Sequence, residues 1–150
     1  MTINFVCFGN ICRSPMAEFV MKNLLNQYKF ADKILVKSSG THATEITPIH
    51  SGTCHELAKN NIPFNRNRIS KKFTRADYQN CDLIIGMDAE NIYDIKRICG
   101  GDPDNKIFLM MSFAGENRDV DDPYYTDNYA VTYRDISRAC DALIKKLLNL

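Results

Sequence analysis

The sequence predicts an α/β protein: a three-layer, doubly wound sheet of about four parallel strands with helices on both faces. Three observations carry that prediction. Short apolar runs alternate along the chain with segments whose apolar residues recur at helical spacing. Strands that alternate with helices in this way build a parallel sheet covered on both sides, and right-handed crossovers make the doubly wound form the simplest closure. The first apolar run also stops at a Gly-Asn turn, and ligands in such sheets bind outside the carboxyl ends of the strands.

The elements follow in order. Ile3 to Phe8 is a short apolar run ending at Gly9-Asn10, which fits a buried strand and a turn. Ala17, Val20, Met21, Leu24 and Tyr28 then recur at helical spacing, with Ser14 expected as N-cap and Pro15 as the first helical residue. Ile34-Leu35-Val36 reads as a second strand that ends at Ser38-Ser39-Gly40, followed by a helix from about His50 to Asn60. Asp82 to Met87 is a third strand, and Asp88 is placed to cap a helix carrying Ile92, Ile95 and Ile98. Ile107 to Met110 makes a fourth strand. Tyr133, Ile136, Cys140, Leu143 and Leu147 form one stripe of a final helix. No repeat, linker or low-complexity tract interrupts residues 1–150, so a single domain is expected.

Composition narrows the function classes. A net charge of +1 gives no long-range attraction to nucleic acid or anionic membrane. No apolar stretch approaches a membrane span of roughly 18 residues. Met1 to Val6 lacks a basic segment and a small-residue cleavage site, so a cytoplasmic location is expected. The six cysteines (Cys7, Cys12, Cys54, Cys81, Cys99 and Cys140) form no C-x-x-C pair and read as free thiols, without a metal site. Cys54, Cys81, Cys99 and Cys140 fit as small buried hydrophobes. The basic cluster Arg66, Arg68, Lys71, Lys72 and Arg75 reads as a solvated loop, or else as a rim that draws in an anionic substrate.

The chemistry lies in Cys7-Phe8-Gly9-Asn10-Ile11-Cys12-Arg13-Ser14-Pro15. A loop this short between a strand end and a helix start can turn its backbone N–H groups onto one point. Gly9 and Asn10 tolerate the positive φ that an anion-binding nest needs. The helix start favours a tetrahedral oxyanion, and Arg13 offers a planar fork matched to two phosphate oxygens. These surroundings favour the thiolate of Cys7, poised beneath a bound phosphate for in-line attack. Expelling a phenolate calls for an acid, and the same group can then activate water as a base. Asp122, in Asp121-Asp122-Pro123-Tyr124-Tyr125, is held extended by Pro123, and the two tyrosines can wall a substrate ring.

This combination resembles the low-molecular-weight protein tyrosine phosphatase family. Val6 to Pro15 is similar to that family's phosphate loop at almost every position, the acid follows the loop, and Met87-Asp88-Ala89-Glu90-Asn91 and Asp122-Pro123-Tyr124-Tyr125 resemble further family segments. The resemblance implies Cys7 as nucleophile, Arg13 as phosphate clamp and Asp122 as general acid, then base. It implies that Asn10 holds the loop's unusual backbone partly through Ser39, that Ser14 donates to the Cys7 thiolate, and that Cys12 is a resolving thiol in reversible oxidation. Phe8, Gly9, Asn10, Ile11, Cys12 and Ser14, with Tyr124 and Tyr125, are the expected substrate-binding residues. Phosphotyrosine proteins are the expected partners, with phosphate or other oxyanions in the loop; neither metal nor organic cofactor is implied.

Two departures concern substrate preference and loop support. Thr41 to Ile46 has no large aromatic where the family often has one at the pocket rim, and Arg68 stands near a position where many relatives have histidine. Two rival readings are an arsenate reductase of the same fold and a non-catalytic phosphotyrosine-binding module. The first needs two further relay cysteines, for which Cys81 and Cys99 fit poorly; the second would lack one of Cys7, Arg13 and Asp122, and all are present.

Overall fold

Strand β1 (Thr2–Cys7) is buried almost throughout, because its side chains feed two cores in alternation. Ile3, Phe5 and Cys7 enter the larger core, and Val6 enters the smaller one on the opposite face. The computed structural model describes residues 1–150. After β1 come α1 (Arg13–Gln27), β2 (Leu35–Gly40), α2 (Ser51–Lys59), α3 (Arg75–Asn80), β3 (Leu83–Gly86) and α4 (Ala89–Cys99). Then follow β4 (Ile107–Leu109), a 3-10 turn (Met110–Ala114), α5 (Pro123–Thr126) and α6 (Tyr129–Leu147).

All strand pairs are parallel, in the order β2-β1-β3-β4. Helices α1, α2 and α6 cover one face through Met16, Met21, Leu57, Ile136 and Leu143, while Tyr78 of α3 and Ile95 of α4 cover the other. The fold is thus the doubly wound α/β sheet that the sequence predicts. The chain winds from β1 to β2 on one side and returns to β3 on the other, so strand order reverses at the end of β1. Such a switch point opens a crevice, and Cys7 stands at its edge, paired with Gly40.

The expected strands and longer helices are present, with ends shifted by a residue or two. Asp88 caps α4 as anticipated, with its side chain accepting from the Asn91 N–H at 2.7 Å. The expected cap of α1 is corrected. The helix begins at Arg13, after Cys12 in the N-cap position, and no side chain caps it. Ser14 therefore lies inside the first turn, and its hydroxyl turns to the Cys7 sulfur instead of the helix N–H groups. Three short elements escaped the periodicity: α3, the 3-10 turn and the four-residue α5 are too brief to display a helical stripe. No helix is long and apolar enough to cross a membrane.

Gly40 decides how closely β2 approaches the loop after β1. A Cβ built there would lie 2.7 Å from the Phe8 carbonyl oxygen, 2.8 Å from the Asn10 nitrogen and 2.9 Å from the Gly9 carbonyl carbon, all backbone atoms that cannot step aside. Gly40→Ala is expected to cost about 1–3 kcal/mol of stability through overpacking and to weaken phosphate binding by distorting the loop. Urea unfolding and phosphate calorimetry measure both; an unchanged phosphate affinity would show that the loop does not depend on this contact.

Candidate active site

The loop from Cys7 to Arg13 runs from the end of β1 into α1 and curls around the Cys7 sulfur. Cys7 Sγ lies 2.9 Å from Ser14 Oγ and receives the Asn10 backbone N–H at 3.3 Å. Asn10 has φ 57°, the left-handed conformation that the turn requires. Its buried side chain uses every hydrogen-bonding position it has. Nδ2 donates to Ser14 Oγ at 2.8 Å and Ser38 Oγ at 3.0 Å, while Oδ1 accepts from Arg68 Nη2 and the Lys71 N–H, both at 2.9 Å.

The expected role of Ser39 is corrected here. Its hydroxyl donates to Asn4 Oδ1 at 3.1 Å, so it does not reach Asn10; the hydroxyl that does is that of Ser38. Ser39 contributes through its backbone carbonyl, 3.2 Å from Ser14 Oγ. The period of two along β2 puts adjacent serines on opposite faces, and sequence alone did not reveal which one faced the loop.

Arg13 is buried and fixed along one edge. Nη1 donates to Asp88 Oδ2 and to the Val120 carbonyl, each at 2.8 Å, while Nη2 lies 3.5 Å from Asp122 Oδ2. Burial opposes its charge, but Cys7, Asp122 and Asp88 outweigh that and hold its pKa above the ordinary value. Asp122 caps α5: Oδ1 accepts the Tyr124 N–H at 3.1 Å, and Pro123 takes the first helical position. Its backbone is extended, as Pro123 requires.

Cys7, Arg13 and Asp122 line one pocket of about 420 Å³ together with Phe8, Gly9, Ile11, Cys12, Tyr124 and Tyr125. Asn10 and Ser14 lie behind this surface, fully buried. Thr44, Thr47, Asp88, Glu90, Asn91 and His42 also line it. His42 answers the missing rim aromatic: its ring stacks on Phe8 with centroids 4.3 Å apart and planes 13° apart. Tyr124 and Tyr125 meet edge to face at 5.4 Å.

The basic cluster does not behave as a unit. Arg66, Lys71, Lys72 and Arg75 are exposed, and no member of the cluster lines the pocket. Arg68, in contrast, runs inward, its side chain only 9% exposed, and pairs with Glu18 at 3.2 Å. A solvated loop was the wrong description for Arg68; a run of cations offers no sequence signal for the one that turns inward.

All six cysteines are free. Burial pushes the Cys12 thiol up to about 12, partly offset by the Tyr129 hydroxyl 3.7 Å away. Burial likewise raises the thiols of Cys54, Cys81, Cys99 and Cys140. Cys81 and Cys99 pack in the smaller core with Phe73 and Ile95, and neither lines the pocket. No group of three or more His, Cys, Asp or Glu side chains is placed to hold a metal ion.

Comparison with known proteins agrees with this geometry. Residues 2–149 match the family model described as low molecular weight phosphotyrosine protein phosphatase. The chain is 42% identical to the low molecular weight protein-tyrosine-phosphatase PtpA of Staphylococcus aureus, over 98% of this chain and 94% of that one. Among solved structures it is similar to YfkJ from Bacillus subtilis, with a TM-score of 0.94 and 32% identity over 99% and 95% of the two chains. It is similar also to SP-PTP, a low molecular weight protein tyrosine phosphatase from Streptococcus pyogenes, with a TM-score of 0.86 and 37% identity over 97% and 92%.

Proposed function

The chain belongs to the low molecular weight phosphotyrosine protein phosphatase family, and from that premise we propose that it hydrolyses phosphotyrosine-type monoesters through a phosphocysteine on Cys7. The observation that carries the reading is the pairing of a sulfur held by Ser14 and Asn10 with Arg13 and Asp122 in one pocket. The Cys7 thiolate attacks phosphorus in line, and the bond from phosphorus to the aryl oxygen breaks. Arg13 Nη1 is committed to Asp88 and Val120, so the Nε–Nη2 edge is the part that can grip two phosphoryl oxygens. Protonated Asp122 gives its proton to the leaving phenolate oxygen. As a carboxylate it then takes a proton from water, whose oxygen attacks the phosphocysteine and releases phosphate and the thiolate.

The substrates on this reading are phosphotyrosine proteins and small aryl phosphates, with the ring held among Phe8, Ile11, Tyr124 and Tyr125. Residues 1–150 act as one domain in the cytoplasm, where thiols stay reduced, and neither nucleic acid nor membrane takes part. Cys12 is the thiol that protects an oxidised Cys7. Peroxide converts the thiolate to a sulfenic acid, and the Cys12 thiol condenses with it to a disulfide, releasing water. A cellular dithiol returns both cysteines to thiols.

Cys7→Ser is expected to abolish turnover of an aryl phosphate while phosphate still binds by calorimetry; activity within tenfold of the parent would overturn the covalent route. Asp122→Asn should slow substrates with basic leaving groups by about 10²–10⁴-fold and good leaving groups far less. A series of substituted phenyl phosphates tests this, and a uniform loss would remove Asp122 from the protonation step. Cys12→Ser should keep its activity but fail to recover with dithiothreitol after peroxide treatment, whereas the parent recovers. Because burial holds Cys12 as a thiol well above neutrality, formation of the parent's disulfide should quicken as pH rises toward about 12. Peptide mass spectrometry reads that bond directly, and its absence would reduce Cys12 to a packing residue.

A further inference from the structure

The Arg13 guanidinium and the carboxyl groups of Asp88, Glu90 and Asp122 all line the pocket. Three of these four side chains are committed to the protein. Asp88 Oδ2 accepts Arg13 Nη1 at 2.8 Å, and its Oδ1 accepts the Asn91 N–H at 2.7 Å. Asp122 Oδ1 accepts the Tyr124 N–H at 3.1 Å, while its Oδ2 lies 3.5 Å from Arg13 Nη2. Glu90 is different: it is exposed, and its carboxyl group makes neither an ion pair nor a hydrogen bond within the chain.

The fold puts Glu90 at the mouth. It is the second residue of α4, just after the Asp88 cap that reaches Arg13. One turn on, and so on the same side of the helix, Asp94 has a carboxyl oxygen 3.9 Å from Nδ1 of the rim residue His42. The start of α4 is tied also to the segment before α5, because Asp119 Oδ1 accepts the Ala89 N–H at 2.9 Å. Asp119 and Asp121 of that segment are exposed. The nearby cations are engaged elsewhere: Arg118 pairs with Asp135 at 2.9 Å and Glu116 at 3.3 Å, and Arg97 with Asp94 at 3.6 Å. This flank of the mouth is therefore negative and uncompensated, although the whole chain carries a net charge of +1.

We propose that Glu90 is a specificity-determining residue that favours phosphotyrosine peptides with a lysine or arginine beside the phosphotyrosine and disfavours those with an acidic neighbour. The proposal rests on the reading of the chain as a phosphotyrosine hydrolase. With the phosphoryl group on Arg13 and the ring against the aromatic wall, the residues flanking the phosphotyrosine must cross the mouth. An unpaired carboxylate there attracts a flanking cation and repels a flanking anion, so it acts on the difference between substrates. An exposed ion pair is worth about fivefold at most. Attraction and repulsion together should separate lysine from aspartate by about three- to tenfold.

The test uses one phosphotyrosine peptide carrying Lys, Ala or Asp immediately before or immediately after the phosphotyrosine. The lysine-to-aspartate ratio of kcat/KM is compared in the parent, Glu90→Gln, Glu90→Lys and Asp141→Asn. Calorimetry gives the same ratio of affinities in a Cys7→Ser background. The parent should prefer lysine by about three- to tenfold at one flank or both, and about 0.5 M salt should shrink that preference. Glu90→Gln should bring the ratio to within about twofold of unity, and Glu90→Lys should invert it. Asp141→Asn removes one negative charge on α6, outside the pocket, where Asp141 pairs with Lys145; it should keep the parental ratio. No preference in the parent, an undiminished preference in both Glu90 variants, or an equal loss in Asp141→Asn overturns the proposal. A parent that hydrolyses every peptide equally refutes the role of Glu90 and leaves the phosphatase reading standing. A parent that hydrolyses none refutes that reading, and the affinities still decide the role of Glu90.

Discussion

The site depends on one residue holding an unfavourable backbone: Asn10 at φ 57°, in the turn between β1 and α1. A non-glycine residue stays in the left-handed region at a functional site when its surroundings over-determine it. At Asn10 four side-chain hydrogen bonds do so, and they come from three separate stretches of chain: Ser14 in α1, Ser38 in β2, and Arg68 and Lys71 in the segment before α3. Turned this way, Asn10 aims its own N–H at the Cys7 sulfur. The loop is therefore held by the sheet and the segments beside it as well as by Asn10's tolerance of the left-handed region.

The charges around that loop are arranged in two buried sets on different sides. Arg13 is pinned by Asp88 and the Val120 carbonyl, with Asp122 farther off at 3.5 Å. Arg68 is answered by Glu18, which Lys22 also reaches. Buried ions are costly unless paired, and each arginine has a carboxylate partner, Asp88 for Arg13 and Glu18 for Arg68. The arrangement separates their contributions: Arg13 lines the pocket with an edge not committed to the fold, while Arg68 spends its donors on the protein.

The rim is built by contacts between segments distant in sequence. Phe8 leaves the loop half exposed and gains a stacking partner in His42, whose backbone N–H also binds the Phe8 carbonyl at 2.8 Å. Tyr124 lies edge-on to His50, which in turn stacks on Tyr129 with centroids 5.5 Å apart. The aromatic wall over the pocket is thereby continuous with the N-terminal ends of α2 and α6.

The sequence by itself determined the alternation of strands and helices, and with it a parallel sheet and a crevice at the end of the first strand. It also singled out Cys7, Arg13 and Asp122 as candidates, which line one pocket, because a short strand-to-helix loop and an Asp-Pro pair are local features with local physical reasons. Only the tertiary structure decided what turns toward what. Ser14 serves the sulfur and not the helix end, Ser38 and not Ser39 reaches Asn10, Arg68 leaves its exposed neighbours to run inward, and His42 completes a rim that looked bare. Each of these depends on partners 7 to 58 residues apart, meeting where β1, β2 and the segment before α3 converge. A hydrogen bond across such a gap leaves no periodicity in the chain, since its direction is set by which donor and which acceptor the fold brings together.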